Sequence, residues 1–126
     1  MAAGDGEGAG MSWQCLALDL RDDPALIAEY EHWHRRENIW PEIVASIRQS
    51  GIEDMQIFRT GTRLVMLMRV APDFDAEAKA RADAASERVQ AWEALMSTFQ
   101  QPLPWTGAGQ KWVPMQRIFD LAECAD

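Results

Sequence analysis

MQIFRTGTRLVMLMRV, residues 55–70, decides the fold. Met55 to Arg59 alternates apolar and polar side chains, Thr60-Gly61-Thr62 supplies a turn, and Leu64 to Val70 returns as a second strand. The returning arm is apolar on both faces, so it belongs inside a sheet rather than at its edge.

Upstream of this hairpin, Trp13 to Leu20 alternates loosely and ends at Arg21-Asp22-Asp23-Pro24, which reads as strand, cap and helix start. The helix it opens runs to about Arg36, and a second runs from Pro41 to about Ser50, stopped by Gly51. Downstream, Asp73 or Asp75 caps an alanine-rich helix. Another restarts near Ser86 and sets Val89, Trp92, Met96 and Phe99 in one stripe. Pro102 and Pro104 end it, and Lys111 to Leu121 is expected as the last strand, edge-placed or bulged because Pro114 cannot donate to a ladder.

The order β, α, β, β, α, β is that of an α+β, ferredoxin-like split-βαβ fold, a four-stranded antiparallel sheet with helices on one face. Its other face stays bare unless covered. Two copies packing sheet to sheet would cover it, so a homodimer is expected.

Residues 1–11, rich in glycine and acid, are expected to be a disordered tail, and residues 12–126 a single domain. The net charge of −8 argues against nucleic acid or an anionic membrane as partner. No apolar run approaches the roughly 20 residues that span a bilayer. The start lacks the cationic and apolar regions of a secretory signal, and Cys15 and Cys124 lie near opposite ends without metal-like spacing. A reducing, cytoplasmic setting without disulfide follows.

The chemistry concentrates in EYEHWHRRENIWPE, residues 29–42, which holds both histidines and the only tyrosine. Tyr30 and His34, four apart, share one helix face, whereas His32 points elsewhere, toward solvent. Imidazole titrates near ~6.5 and exchanges protons near neutrality without elaborate tuning. The same pattern also suits a structural histidine held by a buried tyrosine. The six tryptophans are mostly core by expectation, with a minority free to wall a pocket; an indole beside a hydroxyl-rich rim suits sugars. His32 and His34 diverge, so no metal site is read. TGAG at 106–109 is a loop and not a phosphate cradle.

CLALDLRDDPALIAEY, IWPEI, SGIEDMQIFRTGTRLVMLM, VQAWEALMSTFQQPLPW and KWVPMQRIFDL together resemble the L-rhamnose mutarotase-like family from about Trp13 to Leu121. IEDMQIFRTGTRLVM and QAWEALMSTFQQPLPW look more like the branch associated with L-fucose. The resemblance implies a dimeric α/β barrel with no metal or organic cofactor. It also implies an isomerase that interconverts α and β anomers of a 6-deoxyhexose, L-fucose or L-rhamnose, by opening and reclosing the ring. By the same resemblance His34 is the catalytic acid and Tyr30 binds substrate. A family aromatic pair falls on Trp92 and Glu93, of which only Trp92 keeps the ring, and a further substrate tyrosine falls on Met55. The family tryptophan–proline sits two residues nearer its histidine than Trp40-Pro41 sits to His34 here. Two readings compete: a cofactor-free monooxygenase on the same architecture, and a non-catalytic ligand-binding module.

Overall fold

The computed structural model describes residues 12–125. The tail expected over residues 1–11 lies outside the described residues.

The hairpin is two long strands, β2 (Ile52–Thr60) and β3 (Arg63–Val70), paired antiparallel through a turn in which Gly61 takes φ +56°. The register shifts between Ile52 and Asp54, a bulge at the start of β2. Strand β1 (Ser12–Leu20) pairs with the other edge of β3 from Ser12↔Val70 to Asp19↔Arg63. β3 is therefore flanked on both sides, as its two apolar faces require. Two short strands complete the sheet along β1: β4 (Gln100–Gln101) and β5 (Val113–Pro114). The path is β2-β3-β1-β4, with β5 also on β1.

Among the described residues four helices accompany the sheet: α1 (Pro24–Trp33), α2 (Pro41–Gln49), α3 (Ala76–Ala85) and α4 (Glu87–Ser97). Asp23 caps α1 by accepting from the N–H groups of Ala25 and Leu26, and Pro24 fills a first-turn position whose donor would be unpaired anyway. Of the two candidate caps for α3, Asp75 is the one used, and Ser86 caps α4 by accepting from Val89. Gly51 follows α2 at φ +96°, the left-handed stop expected of it.

Inward positions of β1 and β3 meet α1, α2 and α4 in one apolar cluster that includes Leu20, Tyr30, Ile43, Leu64, Trp92, Met96 and Phe99. Side chains alternate across a strand, so Trp13, Phe58, Val65 and Leu67 lie on the sheet's outer face. Trp13 and Phe58 are each 54% exposed there.

Three expectations are corrected. The last strand is not Lys111–Leu121 but the two residues of β5, with a 3-10 turn at Leu121–Glu123. Pro114 limits the ladder, and Ile118, Phe119 and Leu121 remain exposed. Helix α1 ends at Trp33, short of Arg36, because His34 caps it and its N–H donates to the Glu31 carbonyl at 3.1 Å. Trp13 and Trp105 are not core; they are exposed.

Candidate active site

His34 is the C-cap residue of α1, with φ −95° and ψ 0°. From there its ring folds back along the helix, and Nδ1 lies 2.7 Å from the Tyr30 carbonyl oxygen. A carbonyl only accepts, so Nδ1 carries the hydrogen and donates it. That fixes the tautomer of the neutral ring and leaves the Nε2 lone pair free. The imidazole is flanked by the Tyr30 ring, centroids 4.3 Å apart, and the edge of Trp92 at 5.5 Å. Burial pushes its pKa down from the ordinary value, partly offset by the bond to the Tyr30 carbonyl. At neutral pH the ring is an uncharged base.

Tyr30 is only 3% exposed, and Phe99 meets its ring edge-on at 6.0 Å. Burial pushes its phenol up to about 12; the Gln100 amide works against that rise, and the Glu93 carboxylate adds to it. The hydroxyl therefore stays protonated near neutral pH, a donor rather than a base.

The segment joining α1 to α2 is an ordered turn. Asn38 donates from its amide to the His32 carbonyl at 2.9 Å, and the Asn38 and Ile39 N–H groups both donate to the Arg35 carbonyl. Trp40 is extended, as a residue before proline must be, and its ring packs against Trp92 with centroids 5.1 Å apart. Trp40 thus backs Trp92, whose edge flanks the His34 imidazole.

Tyr30, His34, Ile39 and Trp92 line a cavity of about 680 Å³ between the helices and the sheet, and Trp40 stands behind Trp92. All five residues singled out from the sequence border it: Tyr30, His34, Met55, Trp92 and Glu93. Trp92 is buried, whereas the Glu93 side chain is about half exposed and its carboxylate is held by Lys111 Nζ at 3.0 Å. Met55 lies on β2, at the other side of the sheet from β4, among Ile57, Met66 and Met68. The cavity is unevenly lined. Toward β4 it offers imidazole, phenol, carboxylate and amide; toward β2 thioethers and alkyl groups stand beside Glu53 and Asp54, and Arg48, Lys79 and Asp83 also border it.

Gln100 and Trp112 are among the lining residues that the sequence reading did not single out. Gln100 arrives on β4, a strand too short to signal itself, and its Oε1 is buried without a hydrogen-bond partner. Trp112 lines the cavity from the segment before β5, one of six tryptophans with nothing local to single it out. His32 is exposed, as its helix position required. Asp54 also borders the cavity and accepts from the Met55 N–H at 3.0 Å. Among the described residues no group of three or more His, Cys, Asp or Glu side chains is placed to hold a metal ion. Cys15 and Cys124 are free thiols, and among the described residues no helix is long and apolar enough to cross a membrane.

An uncharged imidazole and a phenol that stays protonated thus face one cavity on an α+β, ferredoxin-like fold. The chain matches the L-rhamnose mutarotase family over residues 14–121, and it is a member of that family. It is 57% identical over 109 residues to a protein of Xanthomonas campestris pv. campestris named L-fucose mutarotase, covering 86% of this chain and 87% of that one. It is 31% identical over 108 residues to a protein of Acidiphilium cryptum named L-rhamnose mutarotase, covering 84% and 96% of the two. The crystal structure of an L-rhamnose mutarotase from Formosa agariphila shares the fold, with a TM-score of 0.63 at 18% identity over 87% of this chain and 98% of that one.

Proposed function

We propose that the protein is a sugar mutarotase, an isomerase that interconverts the α and β anomers of a 6-deoxyhexose, with L-fucose as the preferred sugar. The observation that carries the reading is His34: Nδ1 tied to the Tyr30 carbonyl, Nε2 free, in a cavity lined by Tyr30 and Trp92. The relative named L-fucose mutarotase, at 57% identity, supports the choice of sugar over L-rhamnose.

Ring opening removes the proton from the anomeric hydroxyl and adds one to the ring oxygen as the C1–O5 bond breaks. Neutral His34 takes the first proton on Nε2. Tyr30, which stays protonated, donates the hydrogen bond that stabilises charge growing on the ring oxygen, and water completes the proton balance. The aldehyde turns about its C1–C2 bond, and ring closure on the opposite face recovers the proton from the imidazolium. The role expected for His34 was the acid in opening; its tautomer suits the base first, and the proton gained makes it the acid for reclosure.

The unevenly lined cavity orients the sugar. With the anomeric carbon at His34, the C5 methyl would lie against the thioethers and alkyl groups of Met55, Met66 and Ile57, where a hydroxyl packed on them would lose water. L-galactose, which is L-fucose with a hydroxyl on C6, is therefore expected to be turned over up to about 10²-fold less efficiently, the limit for an apolar pocket refusing an added hydroxyl. Relative kcat/KM for the two sugars checks this, and equal values would remove the apolar wall from substrate selection.

The same reading includes a cytoplasmic homodimer. Trp13 and Phe58 on the outer sheet face, with Met115, Ile118 and Phe119 from the C-terminal segment, leave exposed apolar surface that a second copy would cover. Light scattering is expected to give about twice the chain mass of 14.2 kDa, with Phe58→Asp shifting the protein toward monomer. A wild-type mass of one chain at micromolar concentration would reject the dimer.

A further inference from the structure

Behind the aromatic wall of the cavity stands a residue that no step of the reaction uses. Arg88, on the first turn of α4, lays its guanidinium over the ring of Trp40 with Cζ 3.7 Å from the ring centroid. Its Nε donates to Glu42 Oε1 at 3.3 Å, so the fork is held between the first turns of α2 and α4. Trp40 in turn packs on Trp92 at 5.1 Å, and Trp92 presents its edge to His34 at 5.5 Å, both at interplanar angles of 67°. Four side chains thus form one column, from a cation at the surface to the imidazole in the cavity.

The column matters because of where Trp40 comes from. It follows a turn whose own hydrogen bonds tie it to the end of α1 and not to α4. The Arg88 stack and the Trp92 contact are what join Trp40 to α4. The Arg88–Glu42 pair is about half exposed, and an ion pair of that kind is worth little alone. A guanidinium flat against an indole is stronger and directional, and it fixes the plane of the ring.

From this geometry we infer that Arg88 is a positioning residue for His34, acting through Trp40 and Trp92. This rests on the reading of His34 as the proton carrier. With Arg88 present, Trp40 backs Trp92, Trp92 closes one flank of the imidazole, and water is kept from that side. Without it, Trp40 is free to leave the α4 surface, Trp92 loses its backing and the imidazole becomes wetter.

The chain has two histidines, so their Hε1 resonances are readily separated and assigned with a His32→Gln control. The charged or titratable groups around His34 are Tyr30 on its own helix, Glu93 on α4 with its Lys111 partner, and the Arg88–Glu42 pair behind Trp40. Glu93 and Lys111 are unaltered by the substitution, and removing a cation by itself would raise the imidazole's proton affinity. Arg88→Gln and Arg88→Ala remove the charge alike, but only glutamine keeps a planar group over the ring, so the pair separates charge from stacking. In wild type, His34 is expected to titrate below the ordinary ~6.5, because burial disfavours its charged form.

The experiment is an NMR titration of His34 in wild type, Arg88→Lys, Arg88→Gln and Arg88→Ala, with anomer-exchange rates for each. In Arg88→Ala the His34 midpoint should rise toward ~6.5 while His32 stays put, and kcat should fall about three- to tenfold with a smaller change in KM. Lysine, which keeps a cation over the ring, should restore most of the wild-type midpoint, and glutamine should restore part of it. A His34 midpoint and a kcat in Arg88→Ala equal to wild type would overturn the inference, and so would a drop in melting temperature with the midpoint unmoved. The titration needs no turnover, so it remains decisive even if the sugar chemistry fails. Loss of that chemistry would show separately, as a wild-type protein that does not exchange anomers.

Discussion

Replacing His34 by alanine should slow catalysed anomer exchange by about 10²- to 10⁴-fold, the range that one positioned acid–base group supplies. The expectation follows from the tautomer. Nδ1 is committed to the Tyr30 carbonyl at 2.7 Å, so the proton-accepting capacity of the side chain is concentrated at Nε2. Tyr30 does not replace it: burial pushes its phenol up to about 12, and it does not ionise near neutrality. Wild-type kcat/KM should be flat above neutrality and fall on an acid limb below ~6.5, because burial lowers the imidazole pKa and the base form persists to lower pH. Stability follows the same sign. The unfolded histidine titrates near its ordinary value, so stability is intact above ~6.5 and is lost as pH falls from there through the folded pKa. Saturation-transfer NMR on the alanine variant checks the rate, and a variant as fast as wild type would take His34 out of the mechanism.

The second large effect is on stability. Phe99 is 2% exposed and lies beneath Tyr30, where α4 has just ended and β4 begins. Phe99→Ala should cost about 3–5 kcal/mol, the sum of lost burial and an unfilled cavity. For a chain of this size that lowers the melting midpoint by about 10–20 °C. Phe99→Leu keeps most of the volume and should cost under about 1.5 kcal/mol. Urea unfolding measures both. A loss below about 1 kcal/mol for the alanine variant would mean that this corner of the core collapses around the gap, and Tyr30 would then not depend on Phe99 for its position.

Much of the fold is legible from local patterns. The hairpin at residues 55–70 carries its own turn and its own two-faced apolar return, and β3 is indeed flanked on both sides. Tyr30 and His34 share a face because helical spacing dictates it, and Asp23, Pro24, Ser86 and Gly51 mark their boundaries through backbone chemistry that needs no tertiary contact. What could not be read depends on contacts distant in sequence. Gln100 matters only because a two-residue strand sets it beside β1, and Val113–Pro114 form a strand only because β1 offers Leu16 and Ala17. The run from Lys111 to Leu121 looks like a full strand because its apolar residues cannot announce that they remain exposed. Trp40 can be counted from the sequence, but its stack under Arg88 joins the starts of two helices far apart in the chain. Residue type and spacing suggest a proton carrier at His34, and the family resemblance implies that it is the acid. Only the carbonyl at its Nδ1 shows which nitrogen is left to work.

The most direct test of a proton carried by His34 on a free sugar is saturation transfer between the α and β anomeric protons of L-fucose, with L-rhamnose alongside. Exchange should accelerate with added wild-type protein, more for L-fucose than for L-rhamnose, and should return to nearly the spontaneous rate with the His34→Ala variant. Exchange that never rises above the spontaneous rate for either sugar, at micromolar folded protein, would contradict the account.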